Sequence, residues 1–290
     1  MRPLIIGGPT AAGKSDLALQ VAERFGARIV SADAMTVYRY LDIGTAKPPP
    51  EVLAAYPHDC VDVRDPDGDF TVEDFAEAVQ EALAGDQPVV IAGGTPFYLA
   101  ALLRPLPVLP PGDPEVRVVL ELLEDPHALL REQDPIMAER LHPNDRVRVI
   151  RALEVIALTG EKMSIRQAAP PRRPVLDAEV VWLDRDGLRD RIEQRLSGML
   201  SSGYVEEVEG LLAAGWGAEL KPMRSFSYRH LVAHVQGGLE LEDAARLTGR
   251  DTWRLARKQR SWARSMGWEP AGAEAVMPAA ERAYGRRRGK

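Results

Sequence analysis

Gly8-Pro9-Thr10-Ala11-Ala12-Gly13-Lys14-Ser15 is the stretch of this chain that decides the fold. It follows an apolar run over residues 3–7 and precedes a helical pattern over residues 17–25. A strand, the pattern G-x-x-x-x-G-K-[ST] and a helix form a phosphate-binding loop, because backbone N–H groups and the positive end of the helix dipole face phosphate oxygens. We therefore predict that this loop binds a phosphate or diphosphate group, with charge from Lys14 and a hydroxyl ligand for Mg²⁺ from Ser15.

The length and composition of the chain are typical of a globular protein. At 290 residues, 45% of them hydrophobic, it can form one large domain or a domain that carries a smaller one. Its longest apolar stretches, such as residues 89–92, are far shorter than the roughly 20 residues that cross a bilayer. We see no signal segment ahead of the phosphate-binding loop and expect a cytoplasmic monomer. The one cysteine, Cys60, excludes disulfides within the chain and a cysteine-based zinc site, and we expect it to be packed as a small apolar side chain.

Charge is unevenly distributed along the sequence. The net charge is −6, yet residues 246–290 hold twelve Lys or Arg against four Asp or Glu, and residues 140–173 are also basic. Such segregation predicts a localised contact with a polyanion, although for any single arginine a solvated helix face is the better explanation.

Two further loops at the ends of predicted strands carry residues suited to chemistry. Asp33 follows a strand predicted over residues 28–31, and Gly93-Gly94-Thr95 follows an apolar strand predicted over residues 88–92. Ligands of open parallel α/β sheets bind at the carboxyl ends of the strands. We therefore expect both loops to lie beside the phosphate-binding loop.

The residues by themselves predict transfer of a group from a phosphorylated donor. Asp33 can act as a general base for an acceptor, and Arg224 can stabilise the departing phosphate charge together with Lys14. No Asp follows the strand over residues 88–92, so the Walker-B metal ligand of P-loop ATPases is missing. At this level a small-molecule kinase fits the same residues.

Proline-rich segments over residues 105–114 and 170–174 bound a block with a helical pattern. We predict an α/β fold, a P-loop NTPase-like parallel sheet flanked by helices, with an inserted all-helical domain. Residues 1–111 and 175–290 form the catalytic core with its C-terminal helices in this prediction, and residues 112–174 form the insertion.

Taken together, the motifs resemble the tRNA isopentenyltransferase family, which includes the bacterial tRNA dimethylallyltransferases, from residue 4 to about residue 268. The resemblance is carried by the phosphate-binding loop, Ser31-Ala32-Asp33-Ala34, Asp42-Ile43-Gly44-Thr45-Ala46-Lys47-Pro48, Gly93-Gly94-Thr95-Pro96-Phe97-Tyr98, His142-Pro143-Asn144-Asp145 with Arg148, Arg151-Ala152-Leu153-Glu154-Val155, and Leu255-Ala256-Arg257-Lys258-Gln259 with Trp262. The chain departs from the family pattern at Ser227-Tyr228-Arg229-His230, at Trp253 and at Arg146-Val147.

Members of that family have a P-loop α/β fold with an inserted helical domain and use Mg²⁺. They transfer the dimethylallyl group of dimethylallyl diphosphate to N6 of the adenosine 3′ of the anticodon, in tRNAs that read codons starting with U, and release diphosphate. The resemblance implies that the phosphate-binding loop holds the donor diphosphate in place of ATP and that Asp33 is the base. It implies further that Ser15 acts through Mg²⁺ and that Lys14, Thr95 and Arg224 stabilise the leaving group.

The resemblance also implies a contact with the anticodon stem-loop of tRNA, because a stacked adenine must be flipped out before its amine can react. The residues expected to contact tRNA are Asp33, Ala34, Met35, Thr36, Thr95, Arg117, Val147, Arg148, Val149, Ile150, Arg151, Arg257, Lys258, Gln259, Arg260 and Arg264.

Three other functions compete with this interpretation. A small-molecule kinase gives no role to the basic helices. An adenylate isopentenyltransferase that makes free cytokinin shares the loop and Asp33 but needs no RNA contact. A non-catalytic RNA-binding protein would tolerate loss of Lys14 and Asp33.

Overall fold

The computed structural model describes residues 1–104, 107, 109–169 and 175–285. Pro105, the proline run over residues 170–174 and the basic tail over residues 286–290 lie outside the described residues. The chain forms two compact units, one made of Met1–Leu103 with Asp177–Lys290 and the other of Arg104–Leu176. The predicted insertion, residues 112–174, falls inside the second unit.

The first unit is built on a parallel sheet with the strand order β3-β2-β4-β1-β5-β6. Its strands are β1 (Leu4–Gly7), β2 (Arg28–Ser31), β3 (His58–Asp59), β4 (Val89–Gly93), β5 (Glu179–Leu183) and β6 (Pro270–Ala271). The central strands are buried along nearly their whole length, as apolar strands covered on both faces should be. The α/β prediction with a parallel sheet is confirmed.

Helices flank the sheet and fill the second unit. In chain order they are α1 (Lys14–Phe25), α2 (Pro50–Ala55), α3 (Val72–Leu83), α4 (Pro96–Leu103), α5 (Pro114–Glu121), α6 (Pro126–Gln133), α7 (Pro135–Arg140), α8 (Arg146–Thr159), α9 (Met163–Ala168), α10 (Leu188–Ser201), α11 (Tyr204–Ala213), α12 (Arg229–Val235), α13 (Leu241–Ser265) and α14 (Val276–Tyr284). None of the helices in the described part of the chain is long and apolar enough to cross a bilayer.

Side chains from one face of the sheet pack on α1 and α14 to form the main core of the first unit. Leu4 and Ile6 of β1 lie there with Phe25 of α1, and all three are buried. Tyr284 at the end of α14 donates a hydrogen bond to the Val89 carbonyl oxygen (2.6 Å). This packing holds β1 and the start of α1 rigidly, which fixes the position of the loop between them. Cys60 is buried, as expected, and burial raises the pKa of its thiol to about 12.

The second unit has its own small core, to which α6, α7 and α8 contribute Leu130, Met137 and Leu153. Each of these helices starts at an Asp whose carboxylate accepts a backbone N–H of the first turn, at Asp125, Asp134 and Asp145. The helical block that the sequence pattern predicts is therefore present as separate, capped helices around this core.

Helix α13 starts at Leu241 and continues through Gly249 without a break. A glycine there is tolerated because the space of its missing side chain faces Leu196 of α10, against which α13 packs. Tertiary packing thus offsets the helix-destabilising effect of glycine, about 1 kcal/mol relative to alanine.

Candidate active site

The three predicted site loops lie side by side at the carboxyl edge of the sheet. They follow β2, β4 and β1, which are adjacent strands in the sheet order. The loops after β2 and β4 are in backbone contact, and a Cβ on Gly93 would lie 2.2 Å from the Ala32 carbonyl oxygen. Only glycine allows this approach, which carries Asp33 toward the phosphate-binding loop.

The phosphate-binding loop has the geometry needed to hold an anion. Gly13 adopts a left-handed conformation (φ 93°) and leaves the first turn of α1 without a side-chain cap, so its N–H groups are available to a ligand. The Lys14 ammonium donates to the Pro9 carbonyl oxygen (2.8 Å) across the loop. The Ser15 hydroxyl is exposed and has no protein hydrogen-bond partner among the described residues.

A buried glutamine of α13 connects two of the three loops. The Gln259 side-chain oxygen accepts the Thr10 N–H (2.9 Å), and its amide nitrogen donates to the Gly94 carbonyl oxygen (2.7 Å). The residue is only 4% exposed and both ends of its amide are used. Gln259 is thus placed to hold the phosphate-binding loop against the loop after β4, and its amide is not free for the tRNA contact predicted for it.

Asp33 is held by its own loop and by Thr95. One Asp33 carboxylate oxygen accepts the Met35 N–H (2.8 Å), and the Thr95 hydroxyl oxygen accepts the Ala34 N–H (3.0 Å). The second carboxylate oxygen of Asp33 has no hydrogen-bond donor among the described residues, and Asp33 lines the main cavity of the first unit. This arrangement leaves one oxygen of the carboxylate ready to accept a proton from a ligand.

The main cavity has a volume of about 160 Å³ and combines charged groups with an apolar wall. Its polar lining includes Lys14, Ser15 and Asp33. Its apolar lining consists of Ala18, Ile29, Pro48, Val61, Ile192, Leu196, Met199 and Leu255. A ligand that uses both kinds of group has an anionic end and a short hydrocarbon end.

Lys14 is desolvated at the bottom of this cavity. Its burial among protein atoms lowers the pKa of the ammonium to about 8, against an opposing effect from Asp33 and with a smaller lowering from Arg195. Lys14 as a residue has intermediate solvent exposure, so it is only partly shielded from water. A diphosphate placed there would favour the protonated form.

We predict that affinity for inorganic diphosphate falls as pH rises through about 8, because Lys14 in the empty site then loses its proton and its charge. Calorimetric titrations from pH 6.5 to 9.5 measure this. In Lys14→Arg the fall caused by Lys14 should vanish, since a guanidinium does not titrate below about pH 12, and the pH dependence that remains is the titration of diphosphate itself. In Asp33→Asn the fall should begin at a lower pH, because the carboxylate that raises the pKa of Lys14 is gone. An identical pH profile in wild type and Lys14→Arg would assign the titration to another group.

Arg195 of α10 also lines the cavity, and sequence reasoning missed it. Its surroundings lower the pKa of the guanidinium by desolvation, while Asp33 and Asp16 act in the opposite direction. It forms no ion pair or hydrogen bond within the described residues, so its charge is available to a ligand. The signal that could have found it is the spacing of Arg191 and Arg195, which places two arginines on one face of α10.

A second missed residue is Glu207 of α11, which holds the loop over residues 42–44. Its carboxylate accepts the N–H groups of Asp42 (2.8 Å), Ile43 (2.6 Å) and Gly44 (3.1 Å) and the Tyr228 hydroxyl (2.6 Å). Three successive N–H groups around one anion form a nest. Because the residues just beyond this nest line the cavity, Glu207 shapes the wall of the site from outside.

Arg224 lies away from this cavity. Its side chain is exposed, does not line the cavity and has no partner within the described residues, whereas Phe226 and Ser227 of the same loop do line it. The loop is held from behind by the Tyr204 hydroxyl, which donates to the Ser227 carbonyl oxygen. In this structure the second cation of the cavity is therefore Arg195, and the predicted role of Arg224 would require its loop to move.

In the second unit, two of the predicted tRNA contacts surround a buried carboxylate. Arg117 (3.0 Å) and Arg151 (2.6 Å) donate to Glu154, whose side chain is fully buried. Burial alone would raise the pKa of Glu154, but the hydrogen bonds from Arg151 and Arg117 outweigh it and hold that pKa below its ordinary value. Both arginines are therefore partly engaged within the unit, with Arg117 the more exposed of the two.

The neighbouring predicted contacts on α8 differ in exposure. Val147 is 82% exposed and Arg148 is exposed beside it, whereas the side chains of Val149 and Ile150 are buried. Because α8 turns the side chains of Val149 and Ile150 inward, the predicted tRNA contact of these two residues would have to involve their backbone. Val147 and Arg148 are thus accessible to a partner, although the Arg148 guanidinium already donates to the Asp145 carboxylate at 3.0 Å.

Helix α13 presents an exposed basic stripe. Arg257, Lys258 and Arg264 are exposed, and no ion pair within the described residues involves them. Arg260 differs from them, because its guanidinium forms a two-pronged ion pair with Asp184 after β5 (2.7 Å and 2.9 Å). The predicted contacts at 257, 258 and 264 thus keep free charges, while Arg260 is bonded to the core.

Within the described residues, no group of three or more His, Cys, Asp or Glu side chains could hold a metal ion. This does not conflict with Mg²⁺ in the cavity, because Mg²⁺ bound with a phosphorylated substrate keeps waters and takes few protein ligands. The free Ser15 hydroxyl beside Lys14 is a suitable donor for it.

Comparison with known proteins gives a consistent result over nearly the whole chain. The sequence model of the IPP transferase family matches residues 36–266. The tRNA dimethylallyltransferase 1 of Citrifermentans bemidjiense is 43% identical over 271 residues, with 90% of this chain and 89% of the relative covered. The tRNA dimethylallyltransferase of Geobacter metallireducens is 44% identical over 279 residues, with 91% and 89% covered.

Solved structures agree with the sequence relatives. The crystal structure of the full-length tRNA isopentenylpyrophosphate transferase from Bacillus halodurans superposes with a TM-score of 0.67 at 28% identity. The match covers 97% of this chain and 95% of the other. With a family match over most of its length and relatives above 40% identity that it covers almost completely, this chain belongs to the IPP transferase family.

Proposed function

We propose that this protein transfers the dimethylallyl group of dimethylallyl diphosphate to N6 of the adenosine 3′ of the anticodon in tRNA. One observation carries the proposal. A single cavity is lined by two cationic side chains, Lys14 and Arg195, by apolar side chains and by the Asp33 carboxylate, which has one unpaired oxygen. These are the groups that a diphosphate, a prenyl chain and an amine acceptor each require. The family of the chain and the names of its relatives support the same reaction.

The proposed reaction has one bond made and one broken. The C1–O bond of the donor breaks, and its electron pair leaves with the diphosphate, while the lone pair of adenine N6 forms the new N–C1 bond. The amine proton passes to the free oxygen of Asp33, so that the product amine is neutral. Positioned general bases of this kind contribute about 10²–10⁴ in rate.

The leaving diphosphate develops charge as the C1–O bond breaks, and the chain offers several fixed groups to meet it. They are the N–H groups of the phosphate-binding loop, the Lys14 ammonium and the Arg195 guanidinium. When bound with the donor, Mg²⁺ would be held by Ser15 and the phosphate oxygens and would neutralise part of the same charge.

The tRNA contact is proposed for the exposed basic residues. Arg257, Lys258 and Arg264 of α13 in the first unit and Arg148 of α8 in the second unit are exposed. Phosphate backbones bind through such charges, whereas the reacting base must be extruded into the cavity. We propose that the protein acts on tRNA as a cytoplasmic monomer.

Reversing two charges of this stripe tests the tRNA contact. Arg257→Glu with Arg264→Glu should weaken tRNA binding and reduce the steepness of its dependence on salt, because fewer counterions are released from the RNA. Filter-binding titrations at several salt concentrations measure both quantities. The control is Arg246→Glu with Arg189→Glu, two exposed arginines that already pair with acids on their own helices. Equal effects of the two double variants would place the stripe away from the RNA.

One incubation tests the reaction itself. The protein is mixed with Mg²⁺, labelled dimethylallyl diphosphate and either tRNA or free AMP, and the label is followed into each acceptor. The proposal requires label in tRNA and none in AMP. Label in AMP would indicate a synthesis of free cytokinin. Transfer of the terminal phosphate of ATP to a small molecule, with no transfer of the prenyl label, would indicate a kinase.

A further inference from the structure

One face of α10 runs outward from the phosphate-binding loop. Arg191 donates to the Ala11 carbonyl oxygen of that loop (3.0 Å), and Arg195 lies one turn further on, where its charge acts on Lys14. Met199 follows after one more turn and lines the same cavity. Residues four apart lie on one helix face and are about 6 Å apart along the axis. This face therefore presents the Arg195 guanidinium near the phosphate-binding loop and the Met199 thioether about 6 Å further along the helix axis.

Met199 also borders a second, larger cavity. This cavity has a volume of about 580 Å³, and its apolar lining comes mainly from the segment over residues 48–53. The residues that line both cavities are Ala46, Pro48, Arg195 and Met199. Side chains that border two neighbouring cavities form the wall between them. Of these four, only Met199 is both long and uncharged, so its side chain closes the apolar part of that wall.

The spacing of side chains along α10 limits what can lie in front of this wall. Arg195 and Met199 both line the main cavity and are one helical turn apart, about 6 Å along the axis. A five-carbon tail that starts beside Arg195 reaches Met199, and a ten-carbon tail would have to pass it.

From this geometry we infer that Met199 sets the length of the prenyl donor, by closing the main cavity after one five-carbon unit. The inference rests on the proposed function and names the residue that decides between donors. The second cavity is the space that a longer tail would enter once the Met199 side chain is shortened. Its lining by prolines and Leu53 is apolar enough to receive a hydrocarbon.

The test compares dimethylallyl diphosphate with geranyl diphosphate as donors to tRNA. We expect wild type to use the ten-carbon donor poorly. In Met199→Ala, the ratio of kcat/KM for the ten-carbon donor to kcat/KM for the five-carbon donor should rise by about tenfold or more, the discrimination that a few methylene groups supply in a hydrophobic pocket. Because the readout is a ratio, a general loss of stability or activity cancels from it. Met199→Val, a smaller truncation, should give an intermediate ratio.

Two controls separate the outcomes. Met277→Ala makes the same truncation at a half-buried methionine that packs on the core of the first unit and does not line either cavity, so it should leave the ratio unchanged. Met199→Leu keeps the volume and should also leave it unchanged. An unchanged ratio in Met199→Ala, or an equal rise in Met277→Ala, would overturn the inference while the proposed function stands. Failure of wild type to prenylate tRNA from dimethylallyl diphosphate would instead reject the proposed function.

Discussion

Asp33→Asn should slow dimethylallyl transfer by about 10²–10⁴-fold while leaving the affinity for tRNA close to that of wild type. The asparagine amide oxygen can still accept the Met35 N–H, which is bonded to Asp33 at 2.8 Å, so the loop keeps its shape. What the variant loses is an ionised oxygen that can take the proton of the adenine amine. Single-turnover transfer from labelled donor, together with tRNA binding measured on the same preparation, separates the two effects.

A matched change of charge controls this experiment. Asp16→Asn removes a carboxylate two residues beyond Lys14, at an exposed position outside the main cavity, and should leave the single-turnover rate close to that of wild type. If Asp33→Asn turned over as fast as Asp16→Asn, the carboxylate of Asp33 would not be the base. A parallel loss of tRNA affinity and rate in Asp33→Asn would instead assign Asp33 to RNA binding.

Arg195→Gln should lower kcat/KM for the donor by about 10²–10³-fold, the effect of removing one preorganised donor from a developing oxyanion. Arg195 has no protein partner within the described residues and lies in the cavity near Lys14, so its charge has no evident structural use. The affinity for inorganic diphosphate, measured by calorimetry, should fall as well. That binding measurement reports the cation itself and does not depend on turnover.

Arg191→Gln is the matched control for this change, because it removes the same charge one turn earlier on α10. Arg191 bonds the Ala11 carbonyl oxygen and lies outside the main cavity, so its loss should cost about tenfold or less, the effect of one hydrogen bond. Equal losses in the two variants would mean that the two charges act only through the general electrostatic potential. A larger loss in Arg224→Gln than in Arg195→Gln would show that the loop of Arg224 closes over the donor.

The fold and the arrangement of the three loops could be predicted from sequence because local signals determine them. Residues 8–15 require a strand before and a helix after, and the apolar run before Gly93 requires a buried parallel strand. Since β2, β4 and β1 are neighbours, any residues at their carboxyl ends meet. The position of Asp33 follows from this topology alone.

The parts that sequence missed depend on contacts between distant segments. Arg195 belongs to the cavity only because α10 packs there, and its spacing from Arg191 marks a basic helix face without indicating what that face lines. Glu207 resembles any helix-surface acid until the loop over residues 42–44 folds onto it. Val149 and Ile150 could be recognised as core residues by their apolar character, but the family resemblance placed them among the RNA contacts. The structure shows that both side chains are buried.

The amide of Gln259 has a consequence for how the enzyme is made in the cell. It bridges Thr10 and Gly94 from a helix near the other end of the chain. A nascent polypeptide on the ribosome can complete β1, β2 and β4 long before α13 has left the exit tunnel. Until α13 emerges and docks, the phosphate-binding loop lacks this brace, so we expect the site to become competent for donor binding only after α13 has been synthesised.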